Sequence, residues 1–459
     1  MAGTLAAVVA ACGGNDQKPP PRPPRKTTTT TPLGGRQFLP TREDIGRAEA
    51  AALGSSTVVV RGAGWASDEH KGKWLEIVDP STQSSLGSAT LHVRRILSNS
   101  SDTLMLQYGL GRDLPGGLPA SAIKPLKEIV LSNRTINLTE QGAQPGLIIR
   151  YCSSVVLDHV TVRNAGTYER RQGNGISLYH CDKVRATGVQ TAHSGNFGMF
   201  VYNSDDVIVE DYLARGWGGE FGLQLKDCRT SEIRTSRCLA DGQKGNNGYS
   251  LKCSGLNPSS DVKVTDSIAS LGRQSNFEFS SIMNEGTGFS AENFTALRCT
   301  SRTAGTNGFS TVLDDKSTPS GWVWDSCDAE QSARQGFSQP AANQAITNCT
   351  ARDSGFEGIG ITQPGVTVTG GLMEDNCQAY DGTGSARSSE ILVAASNVTI
   401  TGTVFRHTNQ GRATRAVRET GSASNTLVQD CKLEASGDPY REPFLLPGIG
   451  SRATGTTGT

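Results

Sequence analysis

From about Leu147 to Ile361 the chain consists of short runs that alternate apolar and polar residues, and each run opens just after a glycine. The glycines are Gly175, Gly198, Gly222, Gly248, Gly288, Gly308, Gly336 and Gly358. The runs behind them read Ile176-Ser177-Leu178, Met199-Phe200-Val201, Leu223-Gln224-Leu225, Tyr249-Ser250-Leu251, Phe289-Ser290, Phe309-Ser310, Phe337-Ser338 and Ile359-Gly360-Ile361. Such alternation is the period of a strand, not of a helix. The glycines are spaced by 23, 24, 26, 40, 20, 28 and 22 residues. Self-similarity at this period marks stacked units that cannot bury their apolar faces singly. Asn-Gly pairs beginning at Asn174, Asn247 and Asn307 predict turns that use positive φ. The pattern predicts an all-β solenoid with one parallel β-helix coil per repeat. Asn397-Val398-Thr399-Ile400 and Asn425-Thr426-Leu427-Val428 predict two further coils. The long interval between Cys253 and Gly288 predicts a projecting loop, around Gly255–Asp261 or Arg273–Glu285.

These repeats, from about residue 126 to 435, resemble the right-handed parallel β-helix proteins of the pectin-lyase-like superfamily. That resemblance implies a fold shared by polysaccharide lyases and hydrolases, uronate epimerases, phage tailspikes and adhesins. One fold with so many activities leaves function to be argued from a site.

Residues 1–37 predict a separate region. Val9-Ala10-Ala11-Cys12 looks like a bacterial lipoprotein cleavage box with Cys12 as the lipidated residue, although no Lys or Arg precedes it. The Pro/Lys/Thr stretch behind it would be a disordered tether. Residues 38–125 predict a small β-rich module that caps the open end of the solenoid, since an uncovered edge invites strand addition. Its expected strands are Ser56–Val60, Trp74–Val78, Leu91–Leu97 and Thr103–Leu106, with one short helix from Ile45 to Leu53. The β-helix itself is expected over 126–437, and residues 438–459 read as a disordered tail.

Charge narrows the partners. Lys plus Arg and Asp plus Glu both number 44, so no global field recruits nucleic acid, and any membrane attachment would run through Cys12. Of 11 cysteines, Cys238, Cys299, Cys327, Cys349, Cys377 and Cys431 fall on the second strand of a repeat, and Cys152, Cys181 and Cys228 just after the first. Equivalent positions stack, so the expectation is two ladders of small buried side chains rather than disulfides or a paired-Cys zinc site.

Alternation also sorts the first strand of each repeat. Ile176, Leu178, Met199, Val201, Leu223, Leu225, Tyr249 and Leu251 should point inward. Tyr179, Tyr202, Lys226 and Lys252 should form an outward column with rungs about 4.8 Å apart. Aromatic faces suit pyranose rings and ammonium groups suit uronate carboxylates, which predicts binding or lyase-type cleavage of an acidic polysaccharide. In a β-elimination, Tyr202 or Lys226 would take the proton α to the carboxylate, and Lys252 or Arg215 would neutralise the enolate. Tyr179, Phe200, Gln224, His180 and Glu220 are the expected substrate contacts. The alternative is a non-catalytic tail appendage or surface adhesin, with a homotrimer as the expected assembly and an extracellular, cell-surface or virion location. Asp205-Asp206 and Asp314-Asp315 read as turns, and the catalytic signatures of pectate lyases, polygalacturonases and alginate epimerases are missing. No metal or other cofactor is expected: acidic turns could take calcium, but no ligand spacing specifies it.

Overall fold

The structure is a computed structural model, and it describes residues 35–78, 90–138, 145–167, 173–240, 245–379, 388–408, 412–421, 423–435, 440 and 442–458. Residues 1–34, Cys12 among them, lie outside the described residues, while Arg36 and Gln37, expected at the end of the disordered tether, belong to a strand. No helix among the described residues is long and apolar enough to cross a membrane.

Three parallel sheets, each with thirteen strands among the described residues, stack coil upon coil into a parallel β-helix. The alternation sets the register. Ile176, Met199, Leu223, Tyr249, Phe277, Phe309, Phe337 and Ile359 lie one below another on the inner side of the first sheet. The aromatic members stack, with Tyr249–Phe277, Phe277–Phe309 and Phe309–Phe337 centroids 5.0, 4.6 and 4.9 Å apart and rings near parallel. Between the second and third sheets the coils turn on a left-handed residue, such as Asn133, His159, Asp211, Asp266, Asn348 and Asp430, with two in succession at Gly370-Gly371. Short polar side chains tolerate that conformation best, which accounts for the Asn and Asp content.

The repeat glycines work differently from expectation. Gly175, Gly198, Gly222 and Gly248 are absent from the positive-φ residues. They stand where the next coil passes close by. A Cβ on Gly198 would meet the Tyr212 hydroxyl at 2.5 Å and collide with the Gly222 carbonyl. The requirement is for space, not for φ.

The glycine count also misplaced one coil. The strand after Tyr249 is Phe277–Ser281, preceded by Asn276 instead of glycine, and Phe289-Ser290 lies outside the first sheet. Asn276 fits because its amide donates to Ala269 O, Ser301 Oγ and Arg302 O inside the corner. The 40-residue interval is therefore not one coil with a single insertion.

The N-terminal module is a six-stranded antiparallel sheet in the order Arg42–Ala48, Leu118–Ile123, Trp74–Val78, Thr90–Asn99, Thr103–Leu106, Thr57–Val59. The expected helix after Thr41 is a strand. Ile45 and Ala48 join the module core while the residues between them are exposed, and Gly46, at φ 113°, sits at a bulge against Leu118–Ile123. The module packs on the first coils, with Trp74, Val93 and Ile123 against Tyr151 and Arg95 paired with Asp182. It lies along the flank, with the Gly111 backbone against Leu256 so closely that any Cβ would collide. Arg36–Phe38 instead pairs with Leu147–Ile149 at the edge of the first sheet. The expected C-terminal tail also folds: Phe444–Leu445, Arg452–Thr454 and Thr457–Gly458 add one strand to each sheet.

All ten described cysteines are free and buried. Cys299, Cys327, Cys349 and Cys431 sit just before third-sheet strands, each thiol donating to a carbonyl of the coil above. Cys238 and Cys377 leave the ladder: Cys238 pairs with Ala214 and Ala269 inside the third sheet, and Cys377 occupies a turn at φ 69°.

Candidate functional site

The register of the expected column is as read: Tyr179, Tyr202, Lys226 and Lys252 are neighbours on successive strands, and the structure adds Arg150 one coil before them. Its exposure is not. The N-terminal module and the loops after Cys253 and Ser281 cover its middle, so outward does not mean solvated. Lys226 is 7% exposed, pairs with Glu285 and lies 5.1 Å over the Tyr202 ring. Tyr202 receives a hydrogen bond from Asn257 Nδ2 at 3.1 Å. Burial, together with the charges of Asp227 and Glu285, pushes its phenol well above the usual range, the wrong direction for a base. His180 is buried against Tyr151, 4.8 Å between stacked rings, and burial holds its imidazole neutral, assisted by Arg150, Arg94 and Arg229. These residues form the clasp that holds the module. Arg94 donates to Leu256 O at 2.6 Å and to Asn257 Oδ1, Arg95 pairs with Asp182, and Tyr151 donates to Glu76 at 2.6 Å.

Arg215 is elsewhere. It stands exposed on the third sheet, opposite Ala192 and Leu239, because its strand follows the second corner of the coil. Phe200 packs in a cluster with Phe197 and Phe221, each no more than 6% exposed, and half-buried Tyr179 lies at its edge under the Arg150 guanidinium. Asp205 pairs with Arg229 and Asp206 with Arg185, and Asp314 accepts the Met283 N–H at 2.6 Å, so both acidic pairs serve turns.

The neighbouring outward row of the first sheet runs Ser177, Phe200, Gln224, Ser250, Glu278, Ser310, Ser338 and Gly360, and of these Glu278 alone is not buried. Gln224 Nε2 donates to Ser250 Oγ at 3.1 Å, extending a small, polar floor. Glu278 is half-buried in this row and accepts a hydrogen bond from Asn247 Nδ2 at 2.7 Å. Burial raises its carboxyl to about 7; the Lys252 ammonium and the Asn247 bond oppose the rise, and exposed Glu220 adds to it. Lys252, Glu220 and Asn247 thus act on a carboxyl poised near neutrality, the condition a proton-transfer group needs. Sequence reasoning missed Glu278 because Asn276 broke the glycine count. The signal present was Phe277-Glu278-Phe279, a strand alternation with a carboxylate at its outward position. No group of three or more His, Cys, Asp or Glu among the described residues is placed to hold a metal ion.

No protein-family profile matches the chain. No curated protein matches it either. Among solved structures it is similar to the A-module of a mannuronan C-5 epimerase from Azotobacter vinelandii, at 13% identity and a TM-score of 0.48, covering 72% of this chain and 91% of that one. It is also similar to a tailspike protein from Pseudomonas phage LKA1, at 12% identity and a TM-score of 0.43, covering 89% and 68%. A tailspike of the Acinetobacter baumannii bacteriophage AP22, solved with a capsular saccharide, matches at 11% identity and a TM-score of 0.37, covering 92% and 68%. These likenesses are of fold. With its three stacked parallel sheets and one inner ladder running through successive coils, the chain has the parallel β-helix fold.

Proposed function

We propose that the outer face of the first sheet binds an acidic polysaccharide and that Glu278 transfers the proton in its cleavage. One observation supports this reading: a half-buried carboxyl raised to about 7 faces outward beside Lys252. Lys252 would pair with the uronate carboxylate and stabilise the charge that spreads into it. Ionised Glu278 would take the proton from the carbon bearing that carboxylate. The freed electron pair forms a carbon–carbon double bond as the bond to the β oxygen breaks, and the departing oxygen takes a proton from solvent.

The test is a screen of the purified protein against pectate, alginate, chondroitin and hyaluronan, following ultraviolet absorbance of the unsaturated product and new reducing ends. The expected result is unsaturated product whose rate of formation rises with pH through about 7, because the base must be ionised. Glu278→Gln should lower that rate by about 100-fold or more. Reducing ends without absorbance would replace elimination by hydrolysis, and silence in both readouts would remove the cleavage reading for this panel.

A second reading, a non-catalytic adhesin or tail appendage, is favoured by the burial of Lys226 and the half-burial of Tyr202. Polysaccharide binding without product, with a trimeric mass in sedimentation, would select it. The proposal also places the chain outside the cell or on a virion, with Cys12 as the lipid anchor in the former case; Cys12→Ser would then move the protein from the membrane fraction to the soluble one.

A further inference from the structure

Asn247 occupies the rung position opposite Phe221, at the start of the strand that also carries Lys252, and it is 3% exposed. Its two amide atoms have separate partners. Oδ1 accepts the backbone N–H of Ser275 at 3.0 Å, and Nδ2 donates to Glu278 Oε2 at 2.7 Å. A backbone N–H can only donate, so the Ser275 contact fixes which end of the amide is oxygen. The nitrogen must therefore face the carboxylate. The Asn247 backbone is held in turn, its N–H donating to Glu220 O at 2.7 Å.

Resting on the proposed role of Glu278, we infer that Asn247 is a positioning residue: it pins Oε2 of Glu278 through an amide oriented by Ser275 and leaves Oε1 as the oxygen that meets substrate. A neutral donor suits this task better than a cation. It orients the carboxylate and stabilises its charged form without drawing the proton affinity down to that of a salt-bridged acid. The charged groups around Glu278 are Lys252 on the coil above and exposed Glu220.

The experiment follows the Glu278 carboxyl carbon by 13C NMR in protein labelled at glutamate, with Glu278→Gln to assign the signal. The wild-type carboxyl should titrate near 7. In Asn247→Ala the midpoint should rise by about one unit, because a hydrogen bond to the charged form is lost. Asn247→Asp keeps the shape and the acceptor for Ser275 if the alanine variant fails to fold, and its like charge should raise the midpoint further. A midpoint that stays in place in Asn247→Asp, or falls in either variant, overturns the inference. The titration needs no polysaccharide, so it separates the two claims. Normal midpoints shifted as expected, with no cleavage in the screen, would keep Asn247 as the clamp of Glu278 and discard the catalytic reading. Where cleavage is found, the limb of its pH profile near 7 should move up in Asn247→Asp by the same amount as the NMR midpoint.

Discussion

Glu390 stands at a corner of the solenoid interior where Gly358 stands one coil earlier, as the bond from Ile359 N to Glu390 O records. It is fully buried, and its carboxylate accepts from Asn376 Nδ2 at 2.6 Å. Burial raises its carboxyl to about 8, with the neighbouring Asp375 and Glu374 adding to the rise and the Asn376 bond opposing it. The ordinary value is 4.5, so between about 4.5 and 8 the folded protein holds a proton that the unfolded chain has released. Stability should therefore fall as pH rises through that window, by an amount on the order of a few kcal/mol at its upper end. Glu390→Gln removes the ionisation. Its melting temperature should match that of the wild type near pH 4.5 and exceed it increasingly toward pH 9, while parallel melting curves would show that Glu390 is not the group. A second residue-scale expectation concerns Tyr202. Tyr202→Phe leaves Asn257 Nδ2 without the phenol and should cost about 1 kcal/mol in thermal unfolding while sparing any cleavage activity. Loss of cleavage with unchanged stability would return Tyr202 to the site. Glu390 and Tyr202 show what a sequence conceals at this scale. Alternation gives the direction of a side chain, but the cover over it comes from residues far away in the chain, such as Asn257 over Tyr202.

At the scale of the element, the outward third position of the third-sheet strands carries Arg302, Glu330, Arg352, Glu374, Arg406 and Glu434 on consecutive coils. Ion pairs link them at 3.3 Å (Arg302–Glu330), 3.4 Å (Arg352–Glu374), 3.2 Å (Arg406–Glu374) and 2.9 Å (Arg406–Glu434). Each pair is partly solvated and worth little alone, but a parallel stack places each inner charge of the ladder between two of opposite sign. A shift by one coil would keep the strand alternation and oppose like charges, so the ladder favours one register. Arg352→Glu puts three carboxylates in succession and should lower stability by about 1 kcal/mol, an effect that 1 M salt should largely erase. A loss that salt leaves intact would point to packing of the arginine stem instead. This ladder was legible in principle, since the strands Thr300–Arg302, Asp328–Glu330, Thr350–Arg352 and Leu372–Glu374 each end on a charged residue of alternating sign. The coil at Phe277 was not, because an asparagine can fill the glycine corner when its amide finds three acceptors.

For the whole molecule, the solenoid was legible because every coil repeats the same packing problem and so repeats its residue pattern. The position of the N-terminal module was not, because its contacts are single, non-repeating ones: Arg94 with Leu256 and Asn257, Arg95 with Asp182, Glu76 with Tyr151, and Arg229 4.5 Å from the Tyr108 ring. That docking bears on which outward residues are available, since it covers Lys226 and half of Tyr202, while Glu278 keeps partial exposure in the neighbouring row. Arg94 is central to it. It is 2% exposed, it reaches across to the loop after Cys253, and burial lowers its guanidinium to about 10. A solenoid coil contacts mainly its neighbours, so loss of this clasp should be felt locally. In Arg94→Ala, hydrogen exchange at Ser254–Asn257 and Met283–Gly288 should speed up by roughly tenfold or more, the equivalent of about 1.4 kcal/mol of local opening. The strands Phe337–Ser338 and Ile359–Ile361, several coils away, should keep their protection. Faster exchange in every coil would mean instead that module and solenoid fold as one cooperative unit. The same variant also tests what the module does to the outer face. If docking alone excludes ligand from the covered part of the column, a polysaccharide that binds at Glu278 should gain contacts toward Tyr202 when the clasp is cut, and Lys226→Ala should then weaken binding in Arg94→Ala but not in the intact protein.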